Sequence, residues 1–573
     1  TPARQVWLPP LTEPATLDQL LPPLSVDPAR GLCPAGWAGL GRLHIPIGLV
    51  DKPYYQRRDP MWLDLSGAAG HVLVVGGPQS GKSTVVRDII TGLALTHTPA
   101  EAQFYCLDFG GGTLGSLVGL PHVGSVATRL HPDLMRRTMA EIGALLEQRE
   151  QLFAAERIDS MATYRRFKAE GRITGDPYGD VFLVVDGWGT VRSDFDALES
   201  EITGIAARGL GYGVHVVITA QRWMEIRPAL RDLVGTRVEL RLGDATESEV
   251  DRKLAANVPA STPGRGLSPD KLHLLSALPR IDSGADPDTL VDGVADLVTR
   301  VQEAWTGTRA PAVRLLPEEL PYEDLPRPSR GAHAANTPTQ PGLPFAIDEN
   351  ALAPVFWDYR TDPHLMTFGE PRCGKTNLLR VIAQQVADRF TPEEAKLVVL
   401  DYRHNLLDIA GLPHTLAHGF TASNAEGIMK SVAQGLQKRL PPADITAEQL
   451  RARDWWHGPE LFVIVDDYEL VATAANPLMH MADLIPLARD IGIHVVLARS
   501  IGGAARALFE PVLQKLRESG TPGLMMSGSK DEGALLGNVK AEPLPKGRAR
   551  LVTRQGVRLI QTAHTADAGA EPH

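Results

Sequence analysis

Two copies of one phosphate-binding pattern constrain the fold of this chain more than any other feature. Residues 76–83 and 369–376 both match the pattern G-x-x-x-x-G-K-[ST], and each copy follows an apolar run and precedes a helical pattern. A glycine-rich loop of this length can turn its backbone N–H groups around a phosphate, beside the positive N-terminus of the next helix. Two matches in one chain therefore predict two nucleotide-binding domains of the P-loop type.

ATP with Mg²⁺ is the ligand that we expect at both loops. The pattern assigns Lys82 and Lys375 to the β- and γ-phosphates, and the hydroxyls of Ser83 and Thr376 to Mg²⁺. Cys373 is expected to be a small residue that fits the loop rather than a redox group. The predicted cofactor-binding residues are Gly76, Gly77, Pro78, Gln79, Ser80, Gly81, Lys82, Ser83 and Thr84 in the first copy, and Gly369, Glu370, Pro371, Arg372, Cys373, Gly374, Lys375, Thr376 and Asn377 in the second.

The duplication extends well beyond the loops themselves. The second loop lysine follows the first by 293 residues (375 − 82 = 293). Other landmarks repeat at similar separations: Asp401 after Asp108 (401 − 108 = 293), Asp466 after Asp186 (466 − 186 = 280) and His494 after His215 (494 − 215 = 279). Strand patterns alternate with helical patterns in both halves, which predicts the α/β class. We expect two tandem P-loop NTPase domains with mainly parallel sheets.

An acidic residue at the end of a buried apolar strand, downstream of a P-loop, is the Walker B arrangement. Asp186 and Asp466 fit this description and are predicted to hold Mg²⁺ together with the loop hydroxyls. A fast hydrolase of this kind also needs a carboxylate that polarises the attacking water, usually a Glu next in sequence. Here the next residues are Gly187 and Asp467. Glycine has no side chain for this task, and Asp is one methylene shorter than Glu.

The catalytic set that the sequence predicts is therefore incomplete. Gln221 is placed to contact the γ-phosphate from the neighbouring strand, whereas Ser500 stands at the corresponding position of the second copy. The candidate catalytic residues are Asp186, Gln221, Asp466 and Asp467. We expect a P-loop ATPase in which both sites bind ATP, and in which hydrolysis is weak or depends on a partner.

Composition narrows the class of partner and the compartment. The 573 residues include 58 Lys and Arg against 68 Asp and Glu, and a net charge of −10 gives no general attraction for nucleic acid. The three cysteines, Cys33, Cys106 and Cys373, are far apart and fit a reducing compartment. The apolar runs have the length of strands, too short for a membrane span, so we expect a cytoplasmic protein. The first residue is Thr1 rather than Met, which indicates a fragment or a processed chain.

Proline-rich segments suggest the domain limits. Residues 1–45 are predicted to form a proline-rich arm laid over the first ATPase domain, which occupies 46–308. Prolines return in 309–344, which we interpret as a linker. The second ATPase domain is predicted over 345–566, followed by a short tail, 567–573.

With these motifs in place, the chain resembles the FtsK/SpoIIIE branch of P-loop ATPases. More narrowly, it resembles the tandem C-terminal ATPase domains of EccC, the motor component of type VII (ESX) secretion. The resemblance covers both domains and their order. It rests on residues 45–51, 76–84, 104–112, 120–124, 180–188, 213–222 and 438–442.

The resemblance implies a fold and a set of partners. The fold would be the ASCE type. In this type the strand that leads to Gln221 or Ser500, called the sensor strand, lies between the P-loop (Walker A) strand and the Walker B strand. The chain would be the soluble subunit of a split motor, or the C-terminal piece of a longer one. Its partners would be a membrane-anchored upstream ATPase and other components of the secretion complex, at the inner face of the cell membrane, and copies could associate head to tail.

In this family the last ATPase domain receives the C-terminal signal of WXG100-type substrates. By position, the resemblance points to the surface of the second domain around residues 478–489. Two other functions remain open at this stage. The chain could be a DNA translocase of the FtsK kind, or a scaffold that binds nucleotide and never hydrolyses it, for which Gly187 and Asp467 are the support.

Overall fold

The computed structural model describes residues 8–327 and 342–565, except 443, 453, 454 and 474. The chain divides into two compact units, Thr1–Leu315 and Leu316–His573. The start of the predicted arm, the middle of the predicted linker and the predicted tail 567–573 lie outside the described residues. No helix in the described ranges is both long and apolar enough to cross a membrane.

The described part of the first unit contains twelve strands: β1 (Leu24–Asp27), β2 (Gly31–Pro34), β3 (His44–Lys52), β4 (Arg57–Asp64), β5 (Val72–Val75), β6 (Ala102–Asp108), β7 (Val123–Thr128), β8 (Asp180–Asp186), β9 (Val214–Ala220), β10 (Thr236–Leu240), β11 (Arg265–Leu267) and β12 (His273–Ser276). Its helices are α1 (Leu17–Leu20), α2 (Lys82–Thr96), α3 (Pro132–Glu156), α4 (Met161–Ala169), α5 (Trp188–Asp194), α6 (Asp196–Gly209), α7 (Pro228–Arg231), α8 (Arg252–Ala255) and α9 (Leu290–Ala304).

Ten of these strands form one sheet in the order β4-β3-β12-β11-β10-β5-β9-β8-β6-β7. The pairings from β10 to β7 are parallel, and those from β4 to β10 are antiparallel. Strand β9, which precedes Gln221, lies between the P-loop strand β5 and the Walker B strand β8. The predicted ASCE order is thereby confirmed. Because the carboxyl ends of parallel strands meet at one edge, this order gathers the predicted site there.

Side-chain alternation along the central strands places a core on each face of this sheet. Val72 and Val74 of β5 pack in the same cluster as the apolar side of α2, whereas Leu73 and Val75 pack with α3 and α6. Successive residues of a strand point to opposite faces, so a continuous apolar run is buried on both. The P-loop is therefore joined to a strand that packing holds from two sides.

The second unit repeats this plan. Its strands are β13 (Leu343–Asp348), β14 (Pro354–Trp357), β15 (Leu365–Gly369), β16 (Ala395–Leu400), β17 (Thr415–Gly419), β18 (Glu460–Val465), β19 (Ile493–Ser500), β20 (Gly523–Met525), β21 (Ala534–Leu536), β22 (Val539–Lys540), β23 (Arg548–Thr553) and β24 (Gly556–Thr562). Its helices are α10 (Lys375–Arg389), α11 (Leu407–Ala410), α12 (Ala422–Gln437), α13 (Ala447–Ala452), α14 (Tyr468–Val471), α15 (Ala488–Ile491), α16 (Ala504–Ala507) and α17 (Pro511–Glu518).

Its ten-stranded sheet has the order β14-β13-β24-β23-β20-β15-β19-β18-β16-β17. The strand that leads to Ser500, β19, again lies between the P-loop strand β15 and the Walker B strand β18. The five pairings from β20 to β17 are parallel. The two units therefore share one architecture, as the duplication predicts.

Where the structure describes them, the two proline-rich segments contain secondary structure or buried side chains, and not only extended chain. Helix α1 and the β1–β2 hairpin lie within the predicted arm, and Leu17 and Leu32 are buried in the first unit's core. Within the predicted linker, the Ala310 N–H donates to the Pro121 carbonyl, while Leu320 and Leu325 are buried in the second unit's core. Proline blocks long helices but permits such short packed pieces, because it removes only its own N–H.

Candidate nucleotide sites

The first P-loop connects β5 to α2 in a conformation that needs its glycines. Gly81, directly before the helix, has φ 99°, and a Cβ there would lie 2.9 Å from the Gly264 nitrogen. A Cβ on Gly76 would lie 2.4 Å from the Ser80 hydroxyl oxygen. The loop is therefore closed to larger residues at both positions. The first N–H groups of α2 have no acceptor within the helix, which is the usual anion-binding feature of a helix N-terminus.

Lys82 lies over this loop and folds back onto it. Its Nζ donates to the carbonyls of Gly76 at 2.8 Å and Gly77 at 2.7 Å. Burial lowers the pKa of the Lys82 ammonium, and the negative charges of Asp186 and Glu225 oppose that shift. The ammonium is therefore held at the mouth of the loop, where a polyphosphate needs a cation.

Asp186 is held on both of its oxygens. The Ser83 hydroxyl donates to Oδ2 at 2.7 Å, and the Thr219 hydroxyl of β9 donates to Oδ1 at 2.5 Å. Thr219 also accepts from the Gly187 N–H at 2.8 Å. The Asp186 side chain is buried, with 1% of the residue exposed. An oriented hydroxyl and carboxylate in contact are the oxygen ligands that Mg²⁺ prefers, so the residues present fit a magnesium–nucleotide site.

The second P-loop has the same shape. Gly374 has φ 114° and a Cβ on Gly369 would lie 2.5 Å from the Cys373 sulfur. Lys375 donates from Nζ to the Glu370 carbonyl at 2.8 Å. Cys373 is buried against Met526, and burial raises the pKa of its thiol. This is the packing role that the sequence predicts for this cysteine.

Asp466 differs from Asp186 in one contact. The Thr376 hydroxyl donates to its Oδ2 at 2.9 Å, but Oδ1 is buried without a hydrogen-bond partner among the described residues. The residue that corresponds to Thr219 is Ala498 (219 + 279 = 498), which has no hydroxyl. Burial, and then the charge of Asp467, raise the pKa of Asp466 to about 6. An unpaired buried carboxylate oxygen fits a magnesium ligand at this site as well.

Replacing Thr219 by Val is expected to weaken Mg²⁺ binding at the first site by about tenfold when nucleotide is bound, because Asp186 loses the donor that orients it. Thr219→Ser keeps the hydroxyl and should retain the affinity. The measurement is a Mg²⁺ titration of nucleotide fluorescence in chains that also carry Lys375→Ala, so that only the first site reports. Equal Mg²⁺ affinity in the Val and Ser variants would show that this contact does not matter.

The other predicted catalytic residues are arranged differently in the two units. Gln221 is exposed at the end of β9, and Ser500 ends β19. Asp467 has φ 44° and pairs through Oδ2 with Arg403 Nε at 2.8 Å. Gly187 has φ 97°, a conformation that favours glycine. The position after the Walker B aspartate therefore carries a glycine in one unit and an arginine-bound Asp in the other.

One predicted loop residue, Asn377, makes contacts with a different part of the chain. The Asn377 side chain donates from Nδ2 to the Ala563 carbonyl at 2.8 Å and accepts the Thr565 N–H at 3.2 Å. It therefore holds the chain after β24, and its role as a nucleotide contact stays a prediction. The Pro78 side chain is exposed at the tip of the first loop.

Sequence reasoning missed two carboxylates at the same edge, Glu225 and Glu469. Glu225 Oε2 accepts the Gln221 N–H at 3.0 Å, and Glu469 Oε2 accepts the Ser500 N–H at 3.1 Å. Neither lies next to a Walker B aspartate in sequence, so the motif does not reveal them. The available signal was a Glu within four residues of a predicted site residue.

Comparison with known proteins agrees with this geometry. The model of the FtsK/SpoIIIE family matches residues 44–283 and 332–500. The ESX secretion system protein EccC of Thermomonospora curvata is 57% identical over 561 residues, which cover 98% of this chain and 42% of that protein. The ESX-1 secretion system protein EccCb1 of Mycolicibacterium smegmatis is 37% identical over 570 residues, 98% of this chain and 93% of that protein. The match to EccC thus spans about two fifths of that relative's length.

Solved structures of related ATPase domains also match this chain. ATPases 2 and 3 of Thermomonospora curvata EccC, solved in complex with a signal sequence peptide, superpose with a TM-score of 0.84 at 56% identity. That match covers 98% of this chain and 100% of the solved one. ATPases 2 and 3 of EssC from Geobacillus thermodenitrificans, at 20% identity and a TM-score of 0.67, share the fold.

Proposed function

The chain belongs to the FtsK/SpoIIIE family, in the branch formed by the EccC ATPases of ESX secretion systems, and from that premise we propose a function. We propose that it is an ATP-binding motor and substrate-recognition module of a type VII secretion machine. Both units bind ATP with Mg²⁺, and the second unit engages the C-terminal signal of WXG100-type substrates. The module works in the cytoplasm, recruited to the inner face of the membrane by an upstream ATPase, and its copies associate with one another.

One observation carries the nucleotide half of this proposal. In each unit the loop lysine lies over the P-loop carbonyls, and the loop hydroxyl contacts the Walker B carboxylate, at 2.7 Å in one unit and 2.9 Å in the other. We propose that turnover is weak or depends on a partner, because neither Walker B aspartate has a glutamate beside it: Gly187 follows one, and Asp467, which pairs with Arg403, follows the other. A net charge of −10 gives the alternative of a DNA translocase no electrostatic support.

A groove on the second unit supports the recognition half. It lies along α12 and β17 and has a volume of about 700 Å³. Its lining includes the apolar Leu416, Ile428 and Val432 and the basic Lys396 and Arg439. The related structure that contains ATPases 2 and 3 was solved with a signal sequence peptide, and we propose that this groove takes such a peptide.

The surface around residues 478–489 is less suited to this role. Leu478, Met481 and Ile485 are buried in the core there, which leaves Met479 and Leu487 as its large exposed apolar side chains, together with the exposed Pro486. An apolar peptide gains affinity only from side chains that solvent can reach before binding.

Peptide capture with a matched pair of variants tests the proposal. Leu416, in the groove, and Leu407, in α11 and outside the groove lining, are 60% and 58% exposed. Leu416→Asp is expected to weaken binding of a fluorescent WXG100 C-terminal peptide at least about tenfold, because it places a charge in an apolar contact. Leu407→Asp should bind as the unaltered chain does. If the unaltered chain captures no such peptide, or if both variants bind equally, the recognition half is wrong.

A further inference from the structure

A carboxylate accepts the same backbone N–H group in both units, although it comes from different elements. The N–H groups are those of Gln221, the residue directly after β9, and Ser500, the last residue of β19. In the first unit the acceptor is Glu225, which follows β9. In the second unit it is Glu469, in α14, which follows the Walker B strand β18.

The two carboxylates occupy equivalent space. Glu469 lies three residues after Asp466, and the residue three after Asp186 is Gly189. A Cβ on Gly189 would lie 3.6 Å from Glu225 Oε2, so the Glu225 carboxylate fills the space into which a side chain at 189 would extend. Conversely, the residue four after Ser500, where Glu225 stands relative to Gln221, is Ala504. Among the described residues, each unit therefore places one glutamate against this N–H group, from the segment after β9 in the first unit and from the segment after β18 in the second.

Each carboxylate acts electrostatically on one group of its own nucleotide site. The negative charge of Glu225 acts on the Lys82 ammonium, together with that of Asp186. Burial raises the pKa of Asp467, and the charge of Glu469 raises it further. Glu225 therefore lies close enough to the loop lysine Lys82 to influence its pKa, and Glu469 lies close enough to Asp467 to do the same.

We propose that Glu225 and Glu469 are the catalytic carboxylates of the two sites, replacing the glutamate that neither Walker B aspartate has beside it. This inference rests on the proposed function, since it requires ATP in the loops. In the reaction the carboxylate takes one proton from water while the water oxygen bonds to the γ-phosphorus. The bond from that phosphorus to the β,γ-bridging oxygen breaks, ADP leaves with that electron pair, and the proton passes on to phosphate.

The N–H contact explains how each glutamate would be aimed. A hydrogen bond from a strand-end N–H fixes one carboxylate oxygen and leaves the other with an open lone pair for a water proton. Asp467 is less suited, because Arg403 Nε already engages its Oδ2 at 2.8 Å. The same contact gives the proposal a clean test, since a glutamine can accept the N–H but cannot take up the proton.

The test measures each site alone. Chains with Lys375→Ala report the first site, and chains with Lys82→Ala report the second. Glu225→Gln in the former and Glu469→Gln in the latter are expected to lower the rate of phosphate release at saturating Mg²⁺–ATP by at least about 100-fold. Glu201→Gln and Glu518→Gln, at exposed glutamates away from the loops, should leave the rate unchanged.

Two further readouts separate chemistry from structure. ATP affinity, from a fluorescent analogue, should stay within about threefold in the Gln variants, because the N–H contact is kept. Hydrogen exchange of the segment that contains Gln221 should be unchanged in Glu225→Gln and faster in Glu225→Ala. If Glu225→Gln loses turnover together with affinity and protection, the residue is structural and the proposal fails.

The remaining outcomes are also decisive. Unchanged turnover in the Gln variants would overturn the proposal. A chain that binds ATP but releases no phosphate above the Lys82→Ala, Lys375→Ala double variant would overturn it too, while leaving the ATP-binding half of the proposed function intact. A chain that binds no ATP would overturn the proposed function itself.

Discussion

Replacing Arg149 by Met is expected to lower the free energy of unfolding of the first unit by about 3–5 kcal/mol, because it leaves a buried carboxylate without its cation. Arg149 is fully buried in α3, and its Nε donates to Asp176 Oδ2 at 2.8 Å. Its Nη1 donates to the Tyr212 carbonyl at 2.7 Å, and its Nη2 to the carbonyls of Tyr178 and Gly179, each at 2.9 Å. Methionine fills similar volume but satisfies none of these groups.

The second unit supplies the control for this experiment. Arg439 donates from Nη1 to the Ile491 carbonyl at 3.0 Å, the counterpart of the contact between Arg149 and Tyr212 (491 − 212 = 279). Arg439 is only partly buried, so Arg439→Met should destabilise its unit much less. The effect is measured as the loss of hydrogen-exchange protection in α3 with increasing urea concentration. An Arg149→Met chain whose α3 is as protected as in the unaltered chain would contradict the prediction.

Removing the loop lysine is expected to reduce ATP affinity at its own site by at least about 100-fold, or about 2.7 kcal/mol, and to leave the other site unchanged. Lys82→Ala removes the ammonium that lies over the Gly76 and Gly77 carbonyls, so the γ-phosphate loses its cation in a low-dielectric site. Lys375→Ala removes the corresponding contact with the Glu370 carbonyl.

Titration with a fluorescent ATP analogue measures this effect. Each single variant should keep one class of site, and the double variant should keep none. Lys253→Ala and Lys540→Ala, at exposed lysines outside the loops, serve as controls for the loss of a positive charge. If a single lysine variant loses both sites, the assignment of one independent site to each unit is wrong.

The fold and the position of the loops could be predicted from sequence because their signals are local. A P-loop needs glycine at positions such as Gly76 and Gly81, where a side chain would clash. The loop can therefore be recognised from its sequence pattern. The strand order followed from the family resemblance, and the duplication predicted that both units would share it. The strands were predicted from short apolar runs, which are buried on both faces of the sheets.

The details of the sites were harder because they depend on residues distant in sequence or without a motif. The difference between Asp186 and Asp466 arises from Thr219 and Ala498, on another strand. Glu225 and Glu469 accept equivalent N–H groups but come from different elements, so no single sequence spacing identifies both. The side chain of Asn377 follows the loop in sequence yet holds the chain after β24.

Isothermal titration of the unaltered chain with ATP in excess Mg²⁺ tests the central claim most directly. The arrangement of lysine, hydroxyl and carboxylate in both units predicts two ATP molecules bound per chain. The two binding events should disappear one at a time in the single lysine variants. A stoichiometry of one or none would contradict the proposal that each unit binds one nucleotide.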